Sequence, residues 1–244
     1  MPEEINKKRQ ARRFFLRQTL SLIPMSILIP DIVSAKASLP ADKTQKILDY
    51  IPTFFNAIEW AFIISAIDQL IPDDDNGPGG VYERVPQFID KQMETPYGWG
   101  HLWYMHPPFE DGIPEMGYQS HLVPRDIYRE GIKMIDQYCH DEYGTYFSHL
   151  SAPKKSQIMK DLEQNKISND SISGQLFFNQ LLDNAHEGFL SDPIHGGNRT
   201  MASWHLIGFP GSRADYLDTV NSPGKVYPYG PVGIARKRST QNEQ

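Results

Sequence analysis

The spacing of apolar residues is the feature that most restricts the fold of this chain. Apolar residues recur at steps of three and four along much of the sequence, and no pair of alternating, strand-like segments is present. Such steps place side chains on one face of a helix, whereas a strand requires a period of two. The sequence therefore predicts an all-α fold, an irregular helical domain with long loops rich in aromatic residues, proline and glycine.

Six helices follow from this spacing and from the residues at helix ends, at about 53–70, 85–93, 124–143, 151–162, 173–189 and 198–207. Pro124 suits the first turn of the third helix, and Gly144 suits its end. Ser151 and Asn198 are predicted to cap the fourth and sixth helices. The residues predicted to face inward include Phe55, Ile58, Phe62, Ala66, Leu70, Val85, Phe88, Ile89, Met93, Ile127, Ile132, Ile135, Tyr138, Ile158, Leu162, Leu176, Phe177, Gln180, Leu181 and Ala185.

Residues 97–119 form a long segment that fits neither a helix nor a strand, because aromatic residues are scattered among prolines and glycines. Long loops in compact proteins are usually functional or cover the core. Trp, Tyr, Met and Phe are also enriched in protein interfaces. Two interpretations remain open, a cover over the core or a partner surface. The candidate partner contacts are Trp99, Trp103, Tyr104, Met105 and Phe109.

The N-terminal region differs from the rest in charge. Residues 1–37 carry seven Lys or Arg against three acidic residues, although the whole chain has a formal charge of −6. An apolar stretch at 14–33 follows the basic start, and the small residues Ala35 and Ala37 come next, which is the order of an export signal. Arg12 and Arg13, just ahead of the apolar stretch, are typical of twin-arginine export. We expect cleavage after Ala37; an uncleaved anchor and a basic tail are the alternatives.

Glycine and proline become frequent again near the C-terminus, from residue 216 onward. Because such a composition favours turns over helices, this part is predicted to be an extended tail. The chain therefore divides into an export signal at 1–37, a helical domain at 38–215 and a C-terminal tail at 216–244.

Several large functional classes lack their sequence signatures. The glycine pattern of dinucleotide-binding folds, the phosphate-binding Walker loop and the elbow that carries a nucleophilic serine are all absent. The negative net charge argues against a nucleic-acid partner. With one cysteine, the chain has no internal disulfide and no zinc site built on several thiolates. We expect no cofactor-binding and no catalytic residue in this chain.

Two weaker candidates for chemistry remain. His101, His106, Glu110 and Asp111 are a local group of residue types that bind metals, but their spacing lacks the pattern of a helical metal site, and ordinary loop polar residues are the alternative. Cys139 is interpreted as a buried thiol or as the partner in an intermolecular disulfide, and catalysis is a third reading.

The chain resembles the gluconate 2-dehydrogenase subunit 3 family, the small or gamma subunit of membrane-bound, FAD-dependent sugar and sugar-acid dehydrogenases. The resemblance rests on the Arg12-Arg13 signal and on these motifs: Glu59-Trp60-Ala61-Phe62, Leu70-Ile71-Pro72, Phe88-Ile89-Asp90-Lys91-Gln92, Gly117-Tyr118-Gln119-Ser120, Pro124-Arg125-Asp126-Ile127-Tyr128-Arg129, Asp192-Pro193-Ile194-His195-Gly196-Gly197-Asn198, Trp204-His205-Leu206-Ile207-Gly208-Phe209-Pro210-Gly211, and Tyr227-Pro228-Tyr229-Gly230-Pro231-Val232. His195 stands where an aromatic residue is expected, and Val123 where a Ser or Thr helix cap is usual.

The resemblance implies a helical subunit without a redox centre that supports maturation and export of a large FAD-dependent dehydrogenase subunit. It also implies, as a further partner, a membrane-bound multihaem cytochrome c subunit that would carry haem. The expected location is the periplasm, with attachment to the inner membrane through partners. Two alternatives stay open, a self-contained exported metal-dependent enzyme and a stand-alone periplasmic binding module.

Overall fold

The computed structural model describes residues 50–110, 112–214, 221–222, 224 and 228–234. Within these residues the fold contains helices and no named strands, so the predicted all-α class is confirmed. Three short 3-10 turns, Pro114–Met116, Phe147–His149 and Pro193–His195, lie between the helices. The helices are α1 (Ala57–Leu70), α2 (Val85–Met93), α3 (Pro124–Tyr143), α4 (Ala152–Glu163), α5 (Gly174–Leu190) and α6 (Ala202–Ile207).

Helix α5 is the centre of the packing, because it contacts α1, α2, α3, α4 and α6. Aromatic rings fill the space beside it. The Phe62 ring lies 4.8 Å from that of Phe147 and 5.9 Å from that of Phe177, and the Tyr128 ring meets Phe177 edge-on at 5.9 Å. Tilted and edge-on aromatic pairs stabilise a core beyond the area that they bury.

Helices α2 and α3 begin and end where the sequence predicts. The predicted inward residues of α2 are all buried, and Gly144 ends α3 with a φ of 67°. Glycine adopts this left-handed conformation without steric cost, so it ends helices frequently. Helices α4 and α5 also lie within one residue of their predicted bounds.

The predicted face of the first helix is partly wrong. Ile58, expected to face inward, is 48% exposed, whereas Ile63 and Ile67 have no exposed surface. Helix α1 begins at Ala57 because Asn56 and Glu59 form a capping box, in which each side chain binds a backbone N–H near the helix start. Since nearly every side of this helix carries apolar residues, spacing alone does not identify its buried face.

Two predicted helix caps differ in the structure. Helix α6 begins at Ala202, and the Asn198 side chain does not cap it; instead Asn198 Nδ2 donates to the Ser191 carbonyl and Asn198 Oδ1 accepts from Ser203 Oγ. Ser151 occupies the cap position of α4 but forms no capping hydrogen bond through its side chain.

Residues from the predicted C-terminal tail pack against the helical domain. The Ser212 N–H donates to the Val232 carbonyl over 2.7 Å, and the Ile234 N–H donates to Asp192 Oδ2 over 2.7 Å. Val232 is buried. Residues 228–234 therefore belong with residues 192–213, which the sequence did not predict.

Among the helices that the structure describes, each is too short or too polar to cross a membrane. The predicted export signal, with Arg12, Arg13, Ala35 and Ala37, lies outside the described residues.

Candidate functional site

The segment at residues 97–119, called the aromatic loop below, connects α2 to α3. Its backbone turns repeatedly: the Gly100 N–H donates to the Tyr97 carbonyl over 2.9 Å, and the Trp103 N–H donates to the Gly100 carbonyl over 3.0 Å. Gly100 has a φ of 70°, and a Cβ at this position would collide with the Val123 side chain. Turns of this kind interrupt any regular period, which explains why the sequence predicted neither helix nor strand here.

Some aromatic residues of the loop are held against the helical domain. The half-buried Trp103 ring lies between Tyr118, at 4.6 Å, and Tyr97, at 6.0 Å. The Tyr97 hydroxyl accepts from Gln180 Nε2 over 2.6 Å and from Asn184 Nδ2 over 2.8 Å, so the loop is tied to α5. Trp103 therefore fits the interpretation of the loop as a cover.

Arg125, at the start of α3, ties the loop to two other segments. Its guanidinium carbon lies 4.0 Å from the Trp99 ring centre and 4.5 Å from that of Phe54. Its Nη1 donates to the Met93 carbonyl over 2.6 Å and lies 3.3 Å from a Glu94 carboxylate oxygen. Cation–π contacts and a charged hydrogen bond thus orient Trp99, although half of that side chain stays exposed.

Apart from Tyr118, whose ring packs on Trp103, six large apolar side chains of the loop face solvent. Tyr104 is 86% exposed, Met116 is 71% exposed and Leu102 is 70% exposed. Single exposed apolar residues are ordinary, but a concentrated set marks an interaction surface in many proteins. We call these residues the outer set: Trp99, Leu102, Tyr104, Phe109, Ile113 and Met116.

Cys139 does not face the surface. It lies on α3 with no exposed area, and its burial raises the thiol pKa to about 12, with the charge of Asp136 acting in the same direction. A disulfide to another protein would require this thiol to become exposed first. The structure therefore supports the interpretation of Cys139 as a buried thiol, and the intermolecular disulfide stays a prediction.

The candidate metal-binding residues do not converge in the described part of the chain. His101, His106 and Glu110 are exposed, and the His106 ring packs edge-on against Tyr104 at 5.2 Å. Asp111 lies outside the described residues. No group of three or more His, Cys, Asp or Glu side chains suited to a metal ion occurs among the residues that the structure places.

Sequence reasoning missed a buried carboxylate at Asp90. This side chain has no exposed area and accepts hydrogen bonds of 2.8–3.1 Å from the Tyr50 hydroxyl, from the N–H and hydroxyl of Thr53, and from the N–H groups of Phe54 and Phe55. The neighbouring carboxylate and burial both raise the Tyr50 pKa, with burial the larger cause. Asp90 thus holds the segment that precedes α1 on helix α2.

Arg129 has a similar structural role one turn after Arg125. It forms an ion pair with Glu59, donates to the Phe54 carbonyl over 2.7 Å and lies 4.2 Å from the Phe54 ring centre. The two arginines therefore enclose Phe54. Two side chains of the motif at residues 124–129 therefore stabilise the fold.

Residues 192–204 also form a structural cluster. Asp192 accepts from the Ile194 and Ile234 N–H groups, and Trp204 Nε1 donates to the Leu190 carbonyl over 2.8 Å. Nearby, the buried Glu83 accepts from the Thr200 N–H over 2.8 Å. His195, at the position where an aromatic residue was expected, is exposed, and Val123 precedes α3 without a capping side chain.

Comparison with known families identifies a match for most of the helical domain. A sequence model of the family described as gluconate 2-dehydrogenase subunit 3 matches residues 57–211, which is more than half of the chain. No curated protein and no solved structure matches the chain closely enough to add to this result. The match covers all six helices and the aromatic loop, so the resemblance expected from the sequence motifs is confirmed.

Proposed function

This chain belongs to the gluconate 2-dehydrogenase subunit 3 family, and from that premise we propose that it is the non-catalytic small subunit of a periplasmic, FAD-dependent, gluconate 2-dehydrogenase-like complex. Family membership makes it an accessory part of a multi-subunit dehydrogenase. In the proposed complex the chain binds the large FAD-dependent subunit and supports its maturation and export.

The observation that carries the proposal is the family match over residues 57–211. The sequence of the export signal supports it further. Twin-arginine export moves folded proteins, and prior folding is most useful when a cofactor is inserted before transport. Because the chain has no dinucleotide-binding pattern of its own, a partner that carries FAD and shares this signal explains why such a route is used.

The roles of the other components follow from the same proposal. The large subunit holds FAD and oxidises the sugar acid, and a membrane-bound multihaem cytochrome c subunit accepts the electrons. The present chain contributes binding and positioning. Its association with the inner membrane takes place through these partners.

Native purification of the full chain tests this proposal. A tag placed at the C-terminus leaves the export signal intact, and the periplasmic and membrane fractions are purified separately without denaturant. The expected result is a larger subunit that co-elutes in constant ratio and has the absorbance spectrum of a flavin. After the subunits are separated, the flavin remains with the larger one, and gluconate-dependent dye reduction requires that subunit.

Two results would overturn the proposal. If the chain purifies alone from both fractions under gentle conditions, it is a stand-alone module. If the isolated chain keeps a stoichiometric flavin, or a metal that supports turnover, it is an enzyme in its own right.

A further inference from the structure

We propose that the outer set of the aromatic loop is the surface that docks on the flavoprotein subunit, and that the matching surface of that subunit is an apolar recess bordered by Lys and Arg. This inference rests on the proposed function, because it names the contact surface for the partner given there. It is carried by the exposed area of the loop, by the rigidity of its frame and by its charge.

The exposed area of the outer set is close to what a stable contact requires. The six side chains of the outer set lie within 18 residues of sequence and range from 39% to 86% exposed. If a large side chain offers roughly 200 Å² when fully exposed, the set presents on the order of 700 Å². A standard protein interface takes about 800 Å² from each partner. The loop alone therefore approaches the area that a specific complex requires.

Several described residues of the loop are held in place by contacts within the chain itself. Trp103 packs between Tyr97 and Tyr118, and Trp99 stacks on Arg125. Gly112 and Gln119 bind each other across the base of the 3-10 turn, which carries Met116. Ordering flexible loops at an interface weakens binding, so a loop fixed in advance retains more of the affinity that its side chains supply.

The charge of this surface indicates the chemistry of its partner. From residue 92 to residue 124 the sequence contains no Lys and no Arg, but it does contain Glu94, Glu110, Asp111 and Glu115. Arg125 pairs with Glu94, while Glu110 and Glu115 are exposed beside the outer set. Because complementary charges at the rim of an interface guide association and exclude wrong partners, the surface that fits this loop is basic at its edge.

A second group of exposed apolar side chains serves as the matched control. It includes Leu206 and Ile207 on α6, which are 53% and 60% exposed. In the described segment from residue 202 to residue 214 the sequence contains Arg213 and no Asp or Glu. The group resembles the outer set in apolar exposure and differs from it in charge. Variants of the two surfaces therefore distinguish a specific contact from general apolar adhesion.

The test compares two tagged variants with the unchanged chain in the native purification described above. The loop variant combines Leu102→Ser, Tyr104→Ser and Met116→Ser, and the control variant combines Leu206→Ser and Ile207→Ser. Since all five side chains are exposed, both variants are expected to keep the helical circular dichroism and the unfolding midpoint of the unchanged chain. We expect the loop variant to bind the flavoprotein at least about tenfold more weakly, and the control variant to bind it normally.

A second arm tests the charge. Glu110→Lys with Glu115→Lys is expected to weaken flavoprotein binding, most strongly at low salt, because like charges then meet at the rim. Glu142→Lys with Glu163→Lys makes the same change in net charge at exposed positions outside the loop and is expected to leave binding unchanged. Unchanged or tighter binding of the loop charge variant would contradict a basic border on the partner.

The outcomes separate this inference from the proposed function. Flavoprotein bound by the unchanged chain and lost only from the loop variant supports both. Flavoprotein bound equally by the loop variant overturns the docking surface and leaves the accessory function intact, and loss from the control variant alone moves the interface to the α6 surface. If the unchanged chain binds no flavoprotein, the proposed function itself fails.

Discussion

At the scale of single residues, the burial of Asp90 is the clearest link between one side chain and the fold. Five hydrogen bonds converge on its two oxygens, and all come from the segment that leads into α1. A carboxylate accepts hydrogen bonds only, so it suits a site where every neighbour donates. Asp90, the acidic residue of the motif at residues 88–92, therefore has a structural role.

Asp90→Asn is therefore expected to destabilise the protein strongly. The amide group would present N–H donors to other donors and leave at least one buried donor unpaired. The expected loss is about 2–4 kcal/mol in the free energy of unfolding, measured by urea denaturation. Asp170→Asn makes the same chemical change at an exposed site and is expected to cost less than about 0.5 kcal/mol. Equal effects of the two substitutions would contradict the role of Asp90.

The buried thiol of Cys139 gives a second residue-scale prediction. The thiolate is the reactive form, and a folded-state pKa of about 12 leaves almost none of it at pH 8. Alkylation by iodoacetamide at pH 8 is expected to be at least about a hundredfold slower in the folded protein than in guanidinium. Mass spectrometry after a timed quench measures the modified fraction. Rapid modification of the folded protein, or a reducible heavy band on a gel of alkylated native complex, would contradict burial.

The same pKa fixes the sign of the pH effect. The thiol ionises near pH 9 in the unfolded chain and near pH 12 in the folded one. The folded state therefore holds its proton more tightly, and its contribution to stability is complete below pH 9 and is lost as the pH rises toward 12. Buried tyrosines act in the same direction in alkali, since burial also raises the pKa of Tyr97 and Tyr128.

At the scale of helices, the close contact of α3 with α5 depends on Gly131. A Cβ at this position would overlap the Phe177 ring, although the glycine lies inside a helix where alanine is intrinsically favoured. The propensity gain from Gly131→Ala is about 1 kcal/mol, whereas overpacking of a core costs about 1–3 kcal/mol. The substitution is expected to lower the free energy of unfolding by up to about 2 kcal/mol, as measured by urea denaturation.

Phe177→Leu provides the control for this contact. Alone it removes part of a buried ring and is expected to destabilise the protein, but combined with Gly131→Ala it makes room for the added methyl group. The double variant is expected to be at least about 1 kcal/mol more stable than the two separate effects predict. Strict additivity would show that Gly131 is required for a reason other than the Phe177 ring.

The sequence predicted helix positions well where local signals mark them. Pro124 and Gly144 bound α3, and the spacing in α2 gives its buried face, because these features depend on neighbours in sequence. The exposure of Ile58 depends on which face of helix α1 the distant elements cover. The same holds for Asp90 and for the packing of Val232 near Pro210, whose partners lie about 20 or more residues away. Periodicity carries no information about such partners.

The aromatic loop, too, was predictable only in part from the sequence. Aromatic residues in a loop predicted either a cover or an interface, and the structure assigns Trp103 to the cover and Tyr104 to the exposed face. What separates them is the support from Tyr97 and Tyr118, which no spacing rule reveals. Cys139 followed a local rule instead, since it lies one turn after the buried Ile135 on the same helix.

At the scale of the whole molecule, the described helical domain and the N-terminal signal sequence have separate tasks in the proposed function. In that proposal the domain offers an acidic, apolar surface to a partner, and the predicted signal directs transport. If the flavoprotein crosses the membrane folded and bound to this chain, one signal serves both proteins. A mutation in that signal then also blocks export of the flavoprotein, although the sequence of the flavoprotein is unchanged.

Replacement of Arg12 and Arg13 by lysine tests this coupling. The charge of the signal is preserved, but the arginine pair that marks twin-arginine export is lost. We expect the precursor of this chain to accumulate in the cytoplasm, and the flavoprotein subunit to accumulate there with it. Fractionation followed by immunoblotting of both proteins, with flavin absorbance of the cytoplasmic pool, measures the effect. Because bound FAD requires only folding, the retained flavoprotein is expected to contain its cofactor.

Arg17→Lys is the matched control, since it changes an arginine of the same segment outside the pair and is expected to leave both proteins in the periplasm. The loop variant with Leu102→Ser, Tyr104→Ser and Met116→Ser completes the experiment, because it keeps the signal and weakens the contact. It is expected to reach the periplasm itself while the flavoprotein stays behind. Normal export of the flavoprotein with both arginines replaced would show that it crosses on another signal, and the role of this chain in export would then be wrong.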